Sequence, residues 1–236
     1  MKTVRLARRF LLMSLMTVLA PIVLCAPQAY AETYVAGQLG MTFPQALSSG
    51  EVTQHGFGGL TISSDQPLKN SFMLGGKLGH YFTQARWIGI ETGLSFANPH
   101  VKEGSLTFSG PGGPPQSIAG LNGVHHRMII WDMATLMLRY PGNRFQPYVG
   151  IGPALFLAKL SSSDAAPGQS ATMIGLNAEL GARYFVTRSW ALFGEGQYHR
   201  ARLGYTSNDD NGAADPFGFR ATYSALTLSV GVSYHF

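Results

Sequence analysis

Lys77, Glu91, Arg139, Glu179, Arg183 and Glu195 each stand in a stretch where apolar residues alternate with small or polar ones, and each falls on the small or polar phase. A chain with period two turns successive side chains to opposite faces, so these six share the face that the apolar residues leave. Three are basic and three acidic. Such a set could relay protons or ions, or its members could hold one another in ion pairs. An enclosed charge without a partner costs several kcal/mol. The even balance therefore favours a structural salt-bridge network over a conducting path. Glycines on the same phase (Gly75, Gly79, Gly93, Gly150, Gly152 and Gly181) leave room for the long side chains.

Other chemical candidates are weaker. His199 follows Glu195 by four residues, so both lie on one strand face, but the next serine is Ser207. His125 and His126 are adjacent, and adjacent strand residues point to opposite faces, which keeps one metal ion from taking both. Asn208-Asp209-Asp210-Asn211-Gly212 has the look of a calcium loop without the glutamate that should close it. Gly150-x-Gly152 lacks the third glycine and the following helix of a dinucleotide site. No metal, cofactor or catalytic residue is assigned from these.

The elements that position the charges are strands. The expected strands are Thr33–Phe43, Ser71–Phe82, Trp87–Ala97, Met128–Tyr140, Gln146–Lys159, Ala171–Phe185, Trp190–Arg200 and Thr222–Phe236. The last reads T-Y-S-A-L-T-L-S-V-G-V-S-Y-H-F, with Leu226, Leu228, Val230, Val232, Tyr234 and Phe236 on one phase. Short connections (Thr83–Arg86, Pro141–Phe145, Val186–Ser189) alternate strictly with longer ones (Pro44–Asn70, Asn98–Arg127, Leu160–Ser170, Ala201–Ala221). The longer set is rich in Gly, Ser, Pro and Asn, and Ser109-Gly110-Pro111-Gly112-Gly113-Pro114-Pro115 reads as a flexible tip.

Residues 1–31 read as a cleavable secretory leader: Lys2, Arg5, Arg8 and Arg9, then an apolar run, then Ala29-Tyr30-Ala31. Residues 32–236 form one domain. Four of the 17 basic residues and none of the 12 acidic ones lie in the leader, so the remainder carries 13 against 12 and is close to neutral. That balance excludes a nucleic-acid partner. The single cysteine, Cys25, is also in the leader, which rules out a disulfide framework in the domain.

The run Met133-Ala134-Thr135-Leu136-Met137-Leu138-Arg139-Tyr140-Pro141 followed by Phe145-Gln146-Pro147-Tyr148-Val149-Gly150-Ile151-Gly152 resembles the middle of small porin-family outer-membrane barrels, the OmpA/OmpX-like and opacity-protein-like eight-stranded group. Leu180–Phe185 and Trp190–Glu195 are similar to it too, and the pattern covers the whole chain after the leader. The resemblance implies an all-β fold: an eight-stranded antiparallel up-and-down barrel in a Gram-negative outer membrane, with the short turns periplasmic and four loops outside. Tyr234 and Phe236 then match the assembly signal of a closing strand. The implied partners are outer-membrane lipids and lipopolysaccharide, the barrel-assembly machinery, and an extracellular ligand at the outer loops.

Within that fold the six charges plug the lumen, since eight strands enclose a space that side chains fill. Phe82, Trp87, Tyr140, Tyr148, Tyr184, Trp190, Tyr234 and Phe236 would form the periplasmic aromatic girdle. Asp132 breaks the scheme. It shares its phase with Ala134, Leu136 and Leu138, which would aim a carboxylate at lipid, so a rim position or a β-bulge is expected there. The favoured function is a non-enzymatic structural or surface-interaction role. The alternatives are a narrow channel or apolar-ligand carrier and, less favoured, a lipid A-modifying enzyme, because Glu195 and His199 face the lumen rather than lipid.

Overall fold

A computed structural model describes residues 32–45, 47–52, 61–62, 68–99, 105–109, 116–119, 125–161, 169–207 and 218–236. The expected leader, the loop tip after Ser109, the Asn208–Gly212 turn and the side chains of His125 and His126 lie outside the described residues.

The strands in chain order are β1 (Glu32–Pro44), β2 (Ser48–Val52), β3 (Thr61–Ile62), β4 (Ser71–Tyr81), β5 (Ile88–Ala97), β6 (Ser105–Ser109), β7 (Gln116–Ala119), β8 (His125–Arg139), β9 (Phe145–Ser161), β10 (Gln169–Phe185), β11 (Trp190–Ser207) and β12 (Gly218–His235). The eight long ones make the barrel. In the order β1, β4, β5, β8, β9, β10, β11, β12, each pairs antiparallel with its neighbour. The ring closes where β1 meets β12, from Tyr34 opposite His235 to Pro44 opposite Ala225. Closure leaves no open edge, which matters because hydrocarbon offers no partner for a free N–H or C=O.

The strands rise higher than their sequence pattern indicates. β9 and β10 still pair at Leu160 and Gln169, and β11 and β12 at Thr206 and Gly218, within segments expected to be loops. The two longest connections hold the four short strands, β2 and β3 in the first, β6 and β7 in the second. β2 takes over from β1 along the upper end of β12, and β3, β6 and β7 continue the sheet from it. These pieces are two to five residues long, too short for period two to stand out.

Alternation decides which face each residue takes. On β12, Leu226, Leu228, Val230, Val232 and Tyr234 are exposed on the outer wall, while Thr227, Ser229, Ser233 and His235 are buried inside. A water-soluble sheet would bury the first set; in a bilayer that set meets acyl chains. Phe82, Trp87, Tyr140, Tyr184, Trp190, Tyr234 and Phe236 are exposed beside the short turns. Tyr148 is not part of that girdle. It is buried in the lumen, on the parity of Gly150 and Gly152.

At Asp132 the bulge is real. The β5–β8 register shifts between Glu91 and Gly93, and the β8–β9 register between Asp132 and Leu136. Below the shift Thr135, Met137 and Arg139 face inward; above it Met128, Ile130 and Asp132 do. Thr92 donates its hydroxyl to the Asp132 carbonyl at 2.9 Å and receives the Trp131 indole N–H at 3.0 Å, which pins the offset. The extra residue changes parity, so Asp132 enters the lumen instead of the lipid.

Leu180 is 65 % exposed on the outer wall, next along β10 to the luminal Glu179. Leu180→Arg should lower the unfolding free energy in a bilayer by about 2–4 kcal/mol, the cost of a cation near the membrane midplane. Urea unfolding in lipid vesicles measures it. A loss well under ~1 kcal/mol would place this belt at an interface instead.

Candidate functional site

The lumen is the site, and its side chains sort into levels along the axis. Nearest the periplasm, Glu32 at the start of β1 accepts from Arg139 at the end of β8 and contacts the His235 ring at 2.7 Å. Arg139 also donates to Gln146 and to the Arg86 carbonyl, each at 2.8 Å, and lies 3.7 Å over the Tyr81 ring. Arg139 therefore does not join the other five charges. Its carboxylate is Glu32, which sits too close to the leader boundary for alternation to mark it as luminal.

Above this level, Arg183 of β10 is 2 % exposed and stacked among tyrosines, 3.8 Å from the Tyr34 ring centre and 4.8 Å from that of Tyr148. Guanidinium on an aromatic face is attractive once water is removed. Such packing needs glycine opposite. A Cβ at Gly79 would fall 2.2 Å from the Tyr34 ring, and one at Gly181 2.5 Å from the Tyr148 hydroxyl.

The next level is the centre of the structure. Lys77 Nζ lies 2.8 Å from Glu91, 2.9 Å from Glu179 and 2.7 Å from Glu195. These four come from β4, β5, β10 and β11, so one ammonium ties opposite walls of the barrel. Arg183 reaches Glu91 at 3.2 Å; the Tyr34 hydroxyl donates to Glu91, and that of Tyr148 to Glu195 at 2.7 Å. Oxygens of the three glutamates lie within 4.8 Å of one another, close enough to hold a metal ion. The lysine ammonium already fills that position with three donors aimed at three carboxylates.

Higher still, Gln197 donates to Glu179 at 3.4 Å, Asn177 to Thr135 at 3.3 Å, and His199 meets Asp132 at 3.0 Å. His199 thus has Asp132 as its acid, not Glu195, which Lys77 and Tyr148 hold. Both members of the His199–Asp132 pair are buried in the lumen, away from lipid.

Above His199 the lining turns apolar. Phe156 packs edge-on against His199 at 6.0 Å and against Tyr223 at 6.3 Å. Met128, Ile130, Ala154, Ala158, Ala171, Ala201, Leu203, Ala221 and Ala225 complete this storey, joined by Leu47 and Leu68 from the first long connection. The resemblance to plugged barrels implies luminal charges and does not extend to this storey. Parity alone could have found it, by continuing the inward phase of β9 and β11 toward the outside.

Lys77→Met should cost about 3–5 kcal/mol, since it strands neighbouring carboxylates without their cation. The triple variant Lys77→Met, Glu179→Gln, Glu195→Gln should recover most of the loss, because it removes the unpaired charges as well. Urea midpoints of the refolded barrel compare them. A triple variant no more stable than Lys77→Met would mean that the ion pairs themselves, rather than charge balance, hold the lumen.

The fold agrees with known outer-membrane barrels. OprG from Pseudomonas aeruginosa is 17 % identical with a TM-score of 0.59, covering 87 % of this chain and 96 % of its own. AlkL, solved in DMPC bilayers, is 18 % identical with a TM-score of 0.52, covering 90 % and 94 %. A major outer membrane protein from Thermus thermophilus is 13 % identical with a TM-score of 0.52, covering 88 % and 100 %. No curated protein matches the chain closely enough to count as a relative. Residues 16–236 match the family described as the outer membrane protein beta-barrel domain, so the chain belongs to that family and resides in the outer membrane of a Gram-negative-type cell.

Proposed function

We propose that this protein is a non-enzymatic, non-conducting barrel that serves as an envelope anchor and presents its outer loops to extracellular partners. One observation carries the reading: Lys77 binds three carboxylates from three other strands across the lumen. A water-filled pore needs polar groups free to exchange with solvent, whereas these groups are buried and committed to one another. The charged level supplies a floor, and the outer half of the molecule is left for recognition, where loops on a rigid scaffold do such work. Tyr234 and Phe236, exposed on the last strand with ring centres 6.2 Å apart, are the proposed assembly signal read by the insertion machinery.

Single-channel recording in a planar bilayer tests the floor. Wild type should be silent, and Lys77→Ala should open intermittently. Glu179→Gln, a milder change, serves if the first variant does not fold. Steady wild-type openings would overturn the reading.

The apolar storey favours a second reading, a carrier of small apolar ligands entered from outside. Barrel interiors are ordinarily polar, whereas the outer half of this one holds a cluster of apolar side chains beside the buried Thr42, Ser71, Ser95 and Ser224. An environment-sensitive apolar dye should then bind the wild type, with Leu203→Asp weakening it on the order of tenfold by placing a charge in that storey. Equal binding to both would leave the storey as packing alone.

A further inference from the structure

Among residues whose side chains are described, charge is sorted by face. The acids are Glu32, Glu91, Asp132, Glu179 and Glu195, all turned to the lumen or its periplasmic mouth. Among these described side chains the exposed charges are all basic. On the outer half these include Lys69, Arg127, Lys159, Arg200 and Arg220. Arg127 and Lys159 stand directly opposite each other on β8 and β9, both outward. Like charges in that position repel, so the pair opposes folding unless an anion lies between or beside them.

Next to this pair is a groove of about 660 Å³ on the outer wall. Leu39, Leu74 and Phe96 are in register across β1, β4 and β5, and with Phe72 they form its apolar wall. Lys69, Asn70 and Asn98 line its upper end. Arg127 precedes Met128, which pairs with Ala97, the neighbour of Asn98. The groove therefore runs between a lysine on one side and a cation pair on the other.

We propose that this is a seat for one lipopolysaccharide molecule: an acyl chain lies along Leu39, Phe72, Leu74 and Phe96, and the lipid A phosphates lie between Lys69 and the Arg127–Lys159 pair. Long basic side chains reach from apolar wall to headgroup height, and guanidinium matches phosphate geometry. The long connections mark this end as the outer one, where the leaflet is lipopolysaccharide. The inference concerns the outer wall and stands whichever luminal reading holds.

Native mass spectrometry of the refolded full domain with bisphosphorylated hexa-acyl lipid A tests it. Wild type should retain one lipid, and Arg127→Gln/Lys159→Gln should bind at least tenfold more weakly. The double variant should be no less stable than wild type without lipid and should lose the rise in Tm that lipid A gives. Arg188→Gln, in a periplasmic turn, should bind as wild type. Phosphatidylglycerol, and a bisphosphorylated disaccharide without acyl chains, should each compete at least tenfold less well than lipid A. Unchanged lipid A binding by the double variant would overturn the proposal. Equal competition by phosphatidylglycerol would make it a general anionic-lipid surface, and equal competition by the bare disaccharide would remove the groove; either result defeats the site as stated.

Discussion

A strand that crosses hydrocarbon must find a partner for every backbone N–H and C=O within the protein, and for strands the only solution is a closed ring. The pairing of β1 with β12 satisfies that demand here, running eleven residues from Tyr34 to Pro44. Closure has a consequence for the inside. Eight strands enclose a space too narrow for free water and too wide to leave empty, so the inward residues must fill it and satisfy one another. The charge network, the stacked tyrosines and the apolar storey all answer that one requirement at different heights.

The lower half uses ions where a soluble protein would use aliphatic side chains. The outward phase belongs to lipid, so the inward phase is made of residues that also keep the unfolded, exported chain from being uniformly apolar. Long charged side chains then span the lumen from opposite walls, and their attraction offsets the desolvation of each. Lys77 is the hub of the network. Its ammonium has three donors without the planar bias of a guanidinium, and three carboxylates converge on it from different directions.

Fold and inward phase were legible in the sequence because both follow from parity. Eight alternating segments with short and long connections in turn pointed to the barrel, and Lys77, Glu91, Glu179, Arg183 and Glu195 stand where alternation puts them. What parity hid had specific causes. Asp132 lies beyond a one-residue bulge that inverts the count. Glu32, the partner of Arg139, is the first residue of its strand, with no alternating neighbours before it. Tyr148 lies near a short turn as the girdle residues do, but it shares the inward phase of Gly150 and Gly152 and is buried. Partners across the ring are beyond any pattern along the chain: that Arg139 meets Glu32 and not one of the three luminal glutamates around Lys77 depends on stagger between strands.

Sorting acids inward and bases outward also links the two surfaces of the wall. Residues 32–236 carry 13 basic and 12 acidic residues, and the five acids whose side chains are described all face the lumen or its mouth, which leaves the described outer wall with an excess of cations. Anywhere else that excess would repel itself. At headgroup height the lipid phosphates of the proposed seat would supply counter-charge to these cations. The Arg127–Lys159 pair is the sharpest instance, two cations set opposite each other on adjacent strands. On this view the luminal network and the outer cations are one arrangement. Exchanging an inward glutamate for a neutral residue would alter the charge balance of the floor, and it would also change the field that the outer cations present to the membrane.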